Sequence, residues 1–308
     1  MYINTMNNIG YACINMKLSN SKPRVTTNRS MIKRTFTEKG LPYASELTLQ
    51  NCKDLLTILK WNNENGFKFF RMSSDMIPWA SEYDICDLPD YEEIKSVLKE
   101  CGDYATKHSI RLTTHPGPFN VLTSPHEHVV ENCIKDLSIH GEVMDMMGLS
   151  RTPYNKINIH IGGVYGDKKS AMERFCTNFH RLPDSVKSRL TVENDDKASM
   201  YSVVDLYEGV YKVIGIPIVF DYHHHRFNTG GLSEEDALEV AISTWIDTVP
   251  VVHYSESRSI EQEDDKIRPQ AHSDYVIDYI DTYDNRVDIM VEAKAKELAV
   301  LRYKELHG

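Results

Sequence analysis

Short runs of apolar, β-branched and aromatic residues recur along the chain. Between them lie longer stretches whose apolar positions return every three to four residues. The first pattern predicts strands and the second predicts amphipathic helices. The candidate strands are IGYACI at 9–14, FKFFRM at 67–72, IRLTTH at 110–115 and KINIHI at 156–161, then RLTVEN at 189–194, IPIVFD at 216–221, VPVVHY at 249–254 and RVDIMVE at 286–292. Helical periodicity covers 46–64, 91–107, 126–147, 168–181, 200–213, 234–246 and 294–306. Ser124-Pro125 and Ser233 provide helix-start chemistry. Eight strands alternating with about eight helices imply a parallel sheet. Eight such units in 308 residues, with no linker between them, favour closure into a single (β/α)8 TIM barrel of the α/β class, one domain over 1–308. An open doubly wound sheet is the alternative. A nucleotide-binding version gains no support, because no GxGxxG follows the first strand and no P-loop pattern occurs. The least regular stretches, 15–44, 73–90 and 255–270, are expected to face substrate.

The predicted strand ends carry an unusual set of side chains. His115 ends the third strand, His160 the fourth, Glu193 the fifth, Asp221 the sixth, His253 the seventh and Glu292 the eighth, and His224 follows Asp221 by three residues. In a barrel, the C-terminal strand ends converge on one face. One such residue alone reads as a hydrogen-bonded core histidine or a helix cap. Six consecutive strands ending this way imply a metal centre, since unpaired buried carboxylates would repel one another and take up protons. Seven donors exceed what a single four- to six-coordinate ion needs, so two or three ions are expected. Without a thiolate among them, the set suits Mn²⁺, Zn²⁺, Mg²⁺ or Fe²⁺. In the run His223-His224-His225 adjacent side chains diverge. His224 is the expected ligand there and its neighbours are expected to pack. His126, His128, His140, His180 and His307 fall on helices or the tail and are expected at the surface. Gly162-Gly163-Val164-Tyr165-Gly166 reads as a tight strand-to-helix turn.

A net charge of −10 argues against coating nucleic acid through bulk charge. The average hides an asymmetry. Lys17, Lys22, Arg24, Arg29, Lys33, Arg34 and Lys39 lie in one segment with a single acid, Glu38, and could hold phosphates. The six cysteines, Cys13, Cys52, Cys86, Cys101, Cys133 and Cys176, form no CxxC pair and read as reduced thiols. The N-terminal MYINTMNNIGYACINMK lacks a cationic start followed by a long apolar run. No stretch approaches the roughly 20 apolar residues of a spanning helix. These features predict a soluble intracellular protein with no membrane association and no obligate protein partner.

Ordered motifs along nearly the whole chain resemble the UV damage endonuclease family. They are GYACIN at 10–15, TTNR at 26–29, NGFKFFRMSSDMIPWAS at 65–81 and HPGPF at 115–119, then NIHIGGVYGDK at 158–168, LTVENDDK at 190–197, FDYHHHRFN at 220–228, VHYSES at 252–257, AHSDYV at 271–276 and MVEAKAKE at 290–297. The resemblance implies a TIM barrel holding up to three metal ions, usually manganese. It implies metal-assisted hydrolysis of damaged double-stranded DNA at the phosphodiester immediately 5′ to a pyrimidine photoproduct, leaving a 3′-hydroxyl. It assigns His115, His160, Glu193, Asp221, His224, His253 and Glu292 as metal ligands, the residues that the strand-end argument selects by itself. Of these, Glu193, His224 and Glu292 are expected to be essential to catalysis. The resemblance also places Tyr11 and Asn15 near the lesion or the scissile phosphate, and His272 near the phosphate.

Three positions depart from the family pattern. Glu82 stands where a ligating histidine is common and is expected still to bind metal. Pro118-Phe119 replaces a Gln-aromatic pair that probes the duplex, keeping a stacking ring and losing an amide. Val251 replaces a lysine that is modified in some members. The competing readings are an endonuclease-IV-like enzyme acting on abasic sites, a xylose-isomerase-like sugar isomerase or epimerase, and a lesion-binding protein that no longer cuts.

Overall fold

Eight parallel strands close on themselves in chain order in the computed structural model, which describes residues 7–308. They are β1 (Ile9–Ala12), β2 (Phe69–Met72), β3 (Arg111–Thr114), β4 (Ile157–Ile159), β5 (Leu190–Glu193), β6 (Ile218–Asp221), β7 (Val251–Tyr254) and β8 (Asp288–Val291). Closure comes from β8 pairing with β1, with Tyr11 opposite Val291. The open doubly wound alternative is thereby excluded.

Successive side chains on a strand point to opposite faces, and the sequence sorts accordingly. Tyr11, Phe70, Leu112, Ile157, Val192, Phe220, Val252 and Ile289 join the main core between the barrel and its helices. Ala12, Phe69, Val219, Val251 and Met290, with Trp245, form a separate small cluster, the apolar layer along the barrel axis. Beneath that layer, Arg111 and Asp288 meet across the barrel. The fully buried Arg111 guanidinium donates to Asp288 Oδ2 and to the Val249 carbonyl, both at 2.8 Å, and to the Tyr154 carbonyl. Above it, the interior positions turn polar, and these are the residues of the site.

The helix predicted over 46–64 begins earlier, spanning Lys33–Glu64. Gly40 breaks it with φ 62° and ψ −155°, and Pro42 opens the longer stretch that follows. A left-handed glycine ends one turn and proline opens the next, which is how the polar 33–39 stretch becomes helical without an apolar stripe. Ser233 caps Glu234–Ser243 through its hydroxyl, as expected. The Glu127–Met146 helix starts just after Ser124-Pro125, with Ser124 Oγ accepting from the His126 amide. The β7–β8 connection departs from strict alternation, since its regular structure is the single turn Arg258–Glu261. Among the described residues, no helix is long and apolar enough to cross a membrane. Residues 1–6, which open the N-terminal segment MYINTMNNIGYACINMK, lie outside the described residues.

The Arg111–Asp288 pair gives a stability prediction. Replacing Arg111 with Met leaves a buried carboxylate without its counter-charge and should cost about 3–5 kcal/mol. Changing both residues to apolar ones of matched volume should recover most of that. Chemical denaturation measures both variants, and a single-variant loss under about 1 kcal/mol would show that the pair does not hold the barrel floor.

Candidate metal centre

The seven strand-end donors come together in the upper barrel. His115 and His160 follow β3 and β4, Glu193 and Asp221 end β5 and β6, His253 lies within β7, and Glu292 follows β8. His224 sits on the one-turn helix Tyr222–His225, whose start is capped by Asp221: Oδ1 accepts the His224 amide at 2.8 Å. That cap swings the middle histidine of the triplet inward. His223 and His225 pack instead, their rings 5.2 Å from Phe227 and 5.3 Å from Phe220.

Three overlapping groups have ligand atoms within 4.8 Å of one another: His115, His160 and Glu193; Glu193, Asp221 and His224; and Asp221, His253 and Glu292. Glu193 is the hub. Its carboxylate lies 3.2 Å from His115 Nε2, 3.1 Å from His253 Nδ1, 3.5 Å from His224 Nδ1 and 3.8 Å from His160 Nε2. Asn158, two residues before His160 on β4, also donates to it and is itself fixed by Thr191 at 2.7 Å. His160 Nδ1 faces Asp195 Oδ1 at 3.1 Å. Asn194 pins Asp221 through both its backbone groups, while its carbonyl meets His224 Nδ1 at 2.9 Å.

Charge balance fits divalent cations here. Burial alone would raise the Glu193 pKa, yet His253, His160 and the hydrogen bonds hold it well below the usual range. Burial likewise opposes ionised Glu292, and Arg71 with His253 pulls it well down. Asp221 is pushed up to about 7 by burial, only partly offset by His224 and reinforced by Glu193 and Glu292. His160 goes the other way, up to about 10, because Glu193 and Asp195 outweigh its burial. Three atoms of these ligand residues, His160 Nδ1, Asp221 Oδ2 and His253 Nδ1, are buried without a hydrogen bond. His253 Nδ1 is near two carboxylates but misaligned with both. Buried polar atoms left this way are costly unless something else binds them, and carboxylate with imidazole is a donor set for divalent ions.

Other predicted residues fall differently. Glu82 ends the short turn Ala80–Glu82 and is exposed, outside the three donor groups. It lines a neighbouring cleft of about 380 Å³ together with Asp75, Asp136, His140 and Phe119. His140 is a correction: only 11% of its side chain is exposed, and its Nδ1 lies 3.3 Å from Thr114 Oγ1. Tyr11 and Asn15 are both fully buried. Tyr11 points outward from the barrel, donates to Asn62 Oδ1 at 2.6 Å and accepts from Asn15 Nδ2 at 2.9 Å, with its ring against Phe67 and Phe70. Asn15 caps the turn Met16–Ser19, whose first amides are held by buried Glu297. In this arrangement they fix the loop after β1. Pro118 is exposed, and Phe119 is 88% exposed at the rim. His272 sits at the edge of the centre, with Ser255 Oγ at 2.6 Å from Nδ1 and Glu292 at 3.9 Å from Nε2. Of the seven basic residues of the 17–39 segment, Arg29 is spent on Asp54 at 2.7 Å, and the other six are exposed.

Sequence reasoning passes over Arg71 and Lys156. Arg71 forms an ion pair with Glu292. Lys156 is wholly buried, its Nζ 3.3 Å from His253 Nε2, so a lysine does stand under His253 although position 251 is valine. Strand parity is the available signal: Arg71 and Phe69 share a face, as do Lys156, Asn158 and His160.

Comparison with known proteins agrees with the geometry. The family described as UV-endonuclease UvdE matches residues 7–307. The UV DNA damage endonuclease of Bacillus cereus is 33% identical over 96% of this chain and 92% of its own length. The UV-damage endonuclease of Schizosaccharomyces pombe is 37% identical over 95% of this chain, which spans only 49% of that longer protein. The crystal structure of SacUVDE superposes with a TM-score of 0.83 at 30% identity, covering 98% of this chain and all of the other. D-psicose 3-epimerase from Clostridium cellulolyticum, at 13% identity and a TM-score of 0.54, shares the fold alone. With one family matched over almost every described residue and the Bacillus cereus relative covered over 92% of its length, this chain belongs to the UvdE family of UV endonucleases.

Proposed function

We propose that this chain is a single-domain endonuclease over 1–308 that incises damaged double-stranded DNA. The cut falls at the phosphodiester immediately 5′ to cyclobutane dimers and 6-4 photoproducts, leaving a 3′-hydroxyl. The observation that carries it is the convergence of seven imidazole and carboxylate donors beneath an open rim that presents Phe119. His115, His160, Glu193, Asp221, His224, His253 and Glu292 would hold two or three divalent ions, Mn²⁺ first among them. When bound, such ions supply Lewis-acid polarisation of the phosphate and lower the pKa of water.

The chain's own groups do the rest. Asn158 donates to the Glu193 carboxylate and Asn194 pins the backbone of Asp221, so the donors are preorganised. His272 is oriented by Ser255 and kept below its ordinary pKa chiefly by burial. It is therefore neutral near pH 7 and free to accept a proton from the attacking water at Nε2. In the balanced step the water oxygen bonds to phosphorus and the bond from phosphorus to the 3′-oxygen breaks. One proton leaves the water and one reaches the 3′-oxygen. Phe119 supplies a face on which an unstacked base can rest.

The direct test is incision of an end-labelled duplex carrying one defined photoproduct, with Mn²⁺ and with EDTA, beside a duplex with an abasic site. A metal-dependent cut directly 5′ to the photoproduct is expected. Cutting only at the abasic site would replace this reading with the endonuclease-IV-like one.

Three further outcomes follow from the site. His224→Ala and Glu193→Gln should each lower incision by at least about 10²-fold, with the circular-dichroism spectrum unchanged; wild-type rates in metal-replete buffer would remove the proposed centre. Phe119→Ala should weaken binding to the photoproduct duplex by about 1–3 kcal/mol per lost stack and leave binding to undamaged duplex nearly unchanged. Equal losses on both duplexes would count against a lesion-probing ring. The third outcome concerns pH. Asp221 has a folded pKa of about 7, above its ordinary value of 3.8, so protonation stabilises the metal-free fold. That contribution is full below about 4 and disappears as pH rises through 7. In EDTA the melting temperature should fall between pH 5 and 8, and added Mn²⁺ should restore it most at the alkaline end. A flat EDTA profile would contradict the assignment.

A further inference from the structure

β2 enters the mouth without a metal donor and places a guanidinium there. Arg71 lies opposite Ala12 of β1 and Thr113 of β3. The small Ala12 leaves room for the side chain to cross β1 and pair with Glu292 beyond β8. Only 13% of the Arg71 side chain is exposed. Nη1 is engaged by Glu292, Nε is buried with no partner, and Nη2 makes no hydrogen bond among the described residues.

Pairing with Glu292 engages only one nitrogen of this guanidinium and leaves the rest of the fork unused. Charge arithmetic makes the surplus plain. Glu193, Asp221 and Glu292 contribute −3, two divalent ions contribute +4 and Arg71 contributes +1, a total of +2 before substrate arrives. A cation added to an already cationic centre is unfavourable unless an anion joins it. A phosphodiester brings one negative charge, and more accumulates on its non-bridging oxygens as phosphorus is attacked. Guanidinium is the side chain whose planar fork matches two phosphate oxygens.

We propose that Arg71 is a catalytic residue whose unused N–H groups donate to the non-bridging oxygens of the scissile phosphate and stabilise the charge that grows there during hydrolysis. This rests on the reading of the chain as a DNA-incising hydrolase. Glu292 aims the guanidinium, and Ala12 keeps its path clear.

Single-turnover incision of the photoproduct duplex in Mn²⁺ tests the assignment with wild type, Arg71→Ala and Arg71→Lys. Duplex affinity in EDTA and manganese content after dialysis are measured separately. The incision rate of Arg71→Ala should drop about 10²–10³-fold, as for loss of one preorganised donor to a developing oxyanion. Affinity and manganese content should hold, because the interaction strengthens in the transition state. Arg71→Lys keeps the charge without the fork and should fall between. Added guanidinium at millimolar levels should restore some of the Arg71→Ala rate, whereas ammonium should not. Unchanged incision in Arg71→Ala, loss of its manganese or failure of guanidinium rescue would each overturn the proposal and leave a structural counter-ion. If Arg71→Ala does not fold, wild-type incision by Arg71→Lys overturns it equally. A wild-type protein that does not cut would remove the underlying reading, and this inference with it.

Discussion

Three carboxylates buried in one barrel mouth set the terms for the rest of this structure. Glu193, Asp221 and Glu292 lie in overlapping groups less than 5 Å across. Two unit charges about 4 Å apart repel by roughly 4 kcal/mol at the effective dielectric of a protein. The fold answers that repulsion from every side. Four imidazoles ring Glu193, the Asn158 amide donates to it, Asn194 holds the Asp221 backbone, and Arg71 reaches Glu292 from across β1. The answer is incomplete, because Asp221 Oδ2 is left without a partner and its carboxyl is held near neutrality of charge by a raised pKa. A centre that its own protein cannot fully satisfy is one arranged for cations that arrive from outside.

The same constraint explains the polarity gradient along the barrel axis. Acidic and basic side chains can occupy a barrel interior only in compensated layers. The floor is the closed pair Arg111–Asp288, and the middle is the apolar layer of Phe69, Val219, Val251 and Met290. The open ionic layer stands at the C-terminal strand ends. Lys156 reaches upward from the start of β4 to His253, where Glu193 and Glu292 add favourable field to a site that burial makes hostile to a cation. Floor and middle are buried and packed, so the donors above them sit on backbone held by the barrel itself.

What is legible in the sequence follows this division. Strand runs, their order and their ending residues can be read because period-two alternation and a terminal His, Glu or Asp are local signals. All seven donors converge as that pattern requires. Arg71, Lys156 and Asn158 are less visible, because strands buried on both faces give polar interior residues no contrast with a solvent side. Tyr11 lies on the outer face of β1, and Gly10 and Ala12 flanking it are the small residues expected on the crowded axis face. His140 reads as superficial because helix position alone does not show that its turn lies over Thr114 at the mouth. The helix start at Lys33 is hidden by a mostly polar sequence that is joined to the longer helix through Gly40 and Pro42 and anchored by the single ring of Phe36 on Trp79.

Chemistry and recognition are therefore carried by elements with different tolerance to change. The seven donors stand on strand ends or on a turn capped by one of them, where a displaced side chain would disturb several charges at once. Glu82 and Pro118-Phe119 stand on exposed turns over the rim, and none of the three is in a donor group. Glu82 lines the cleft beside Phe119, and a change there leaves the ionic layer untouched. Val251 is the departure that lies inside the barrel, and it belongs to the apolar layer, where a methyl-bearing side chain packs against Met290 and Val219. Lys156 from β4 already places an amine beneath His253, and a second lysine at 251 would add another buried amine to an apolar layer. Valine there is consistent with the barrel's charge balance, and it leaves His253 supported from below by a single, fixed partner.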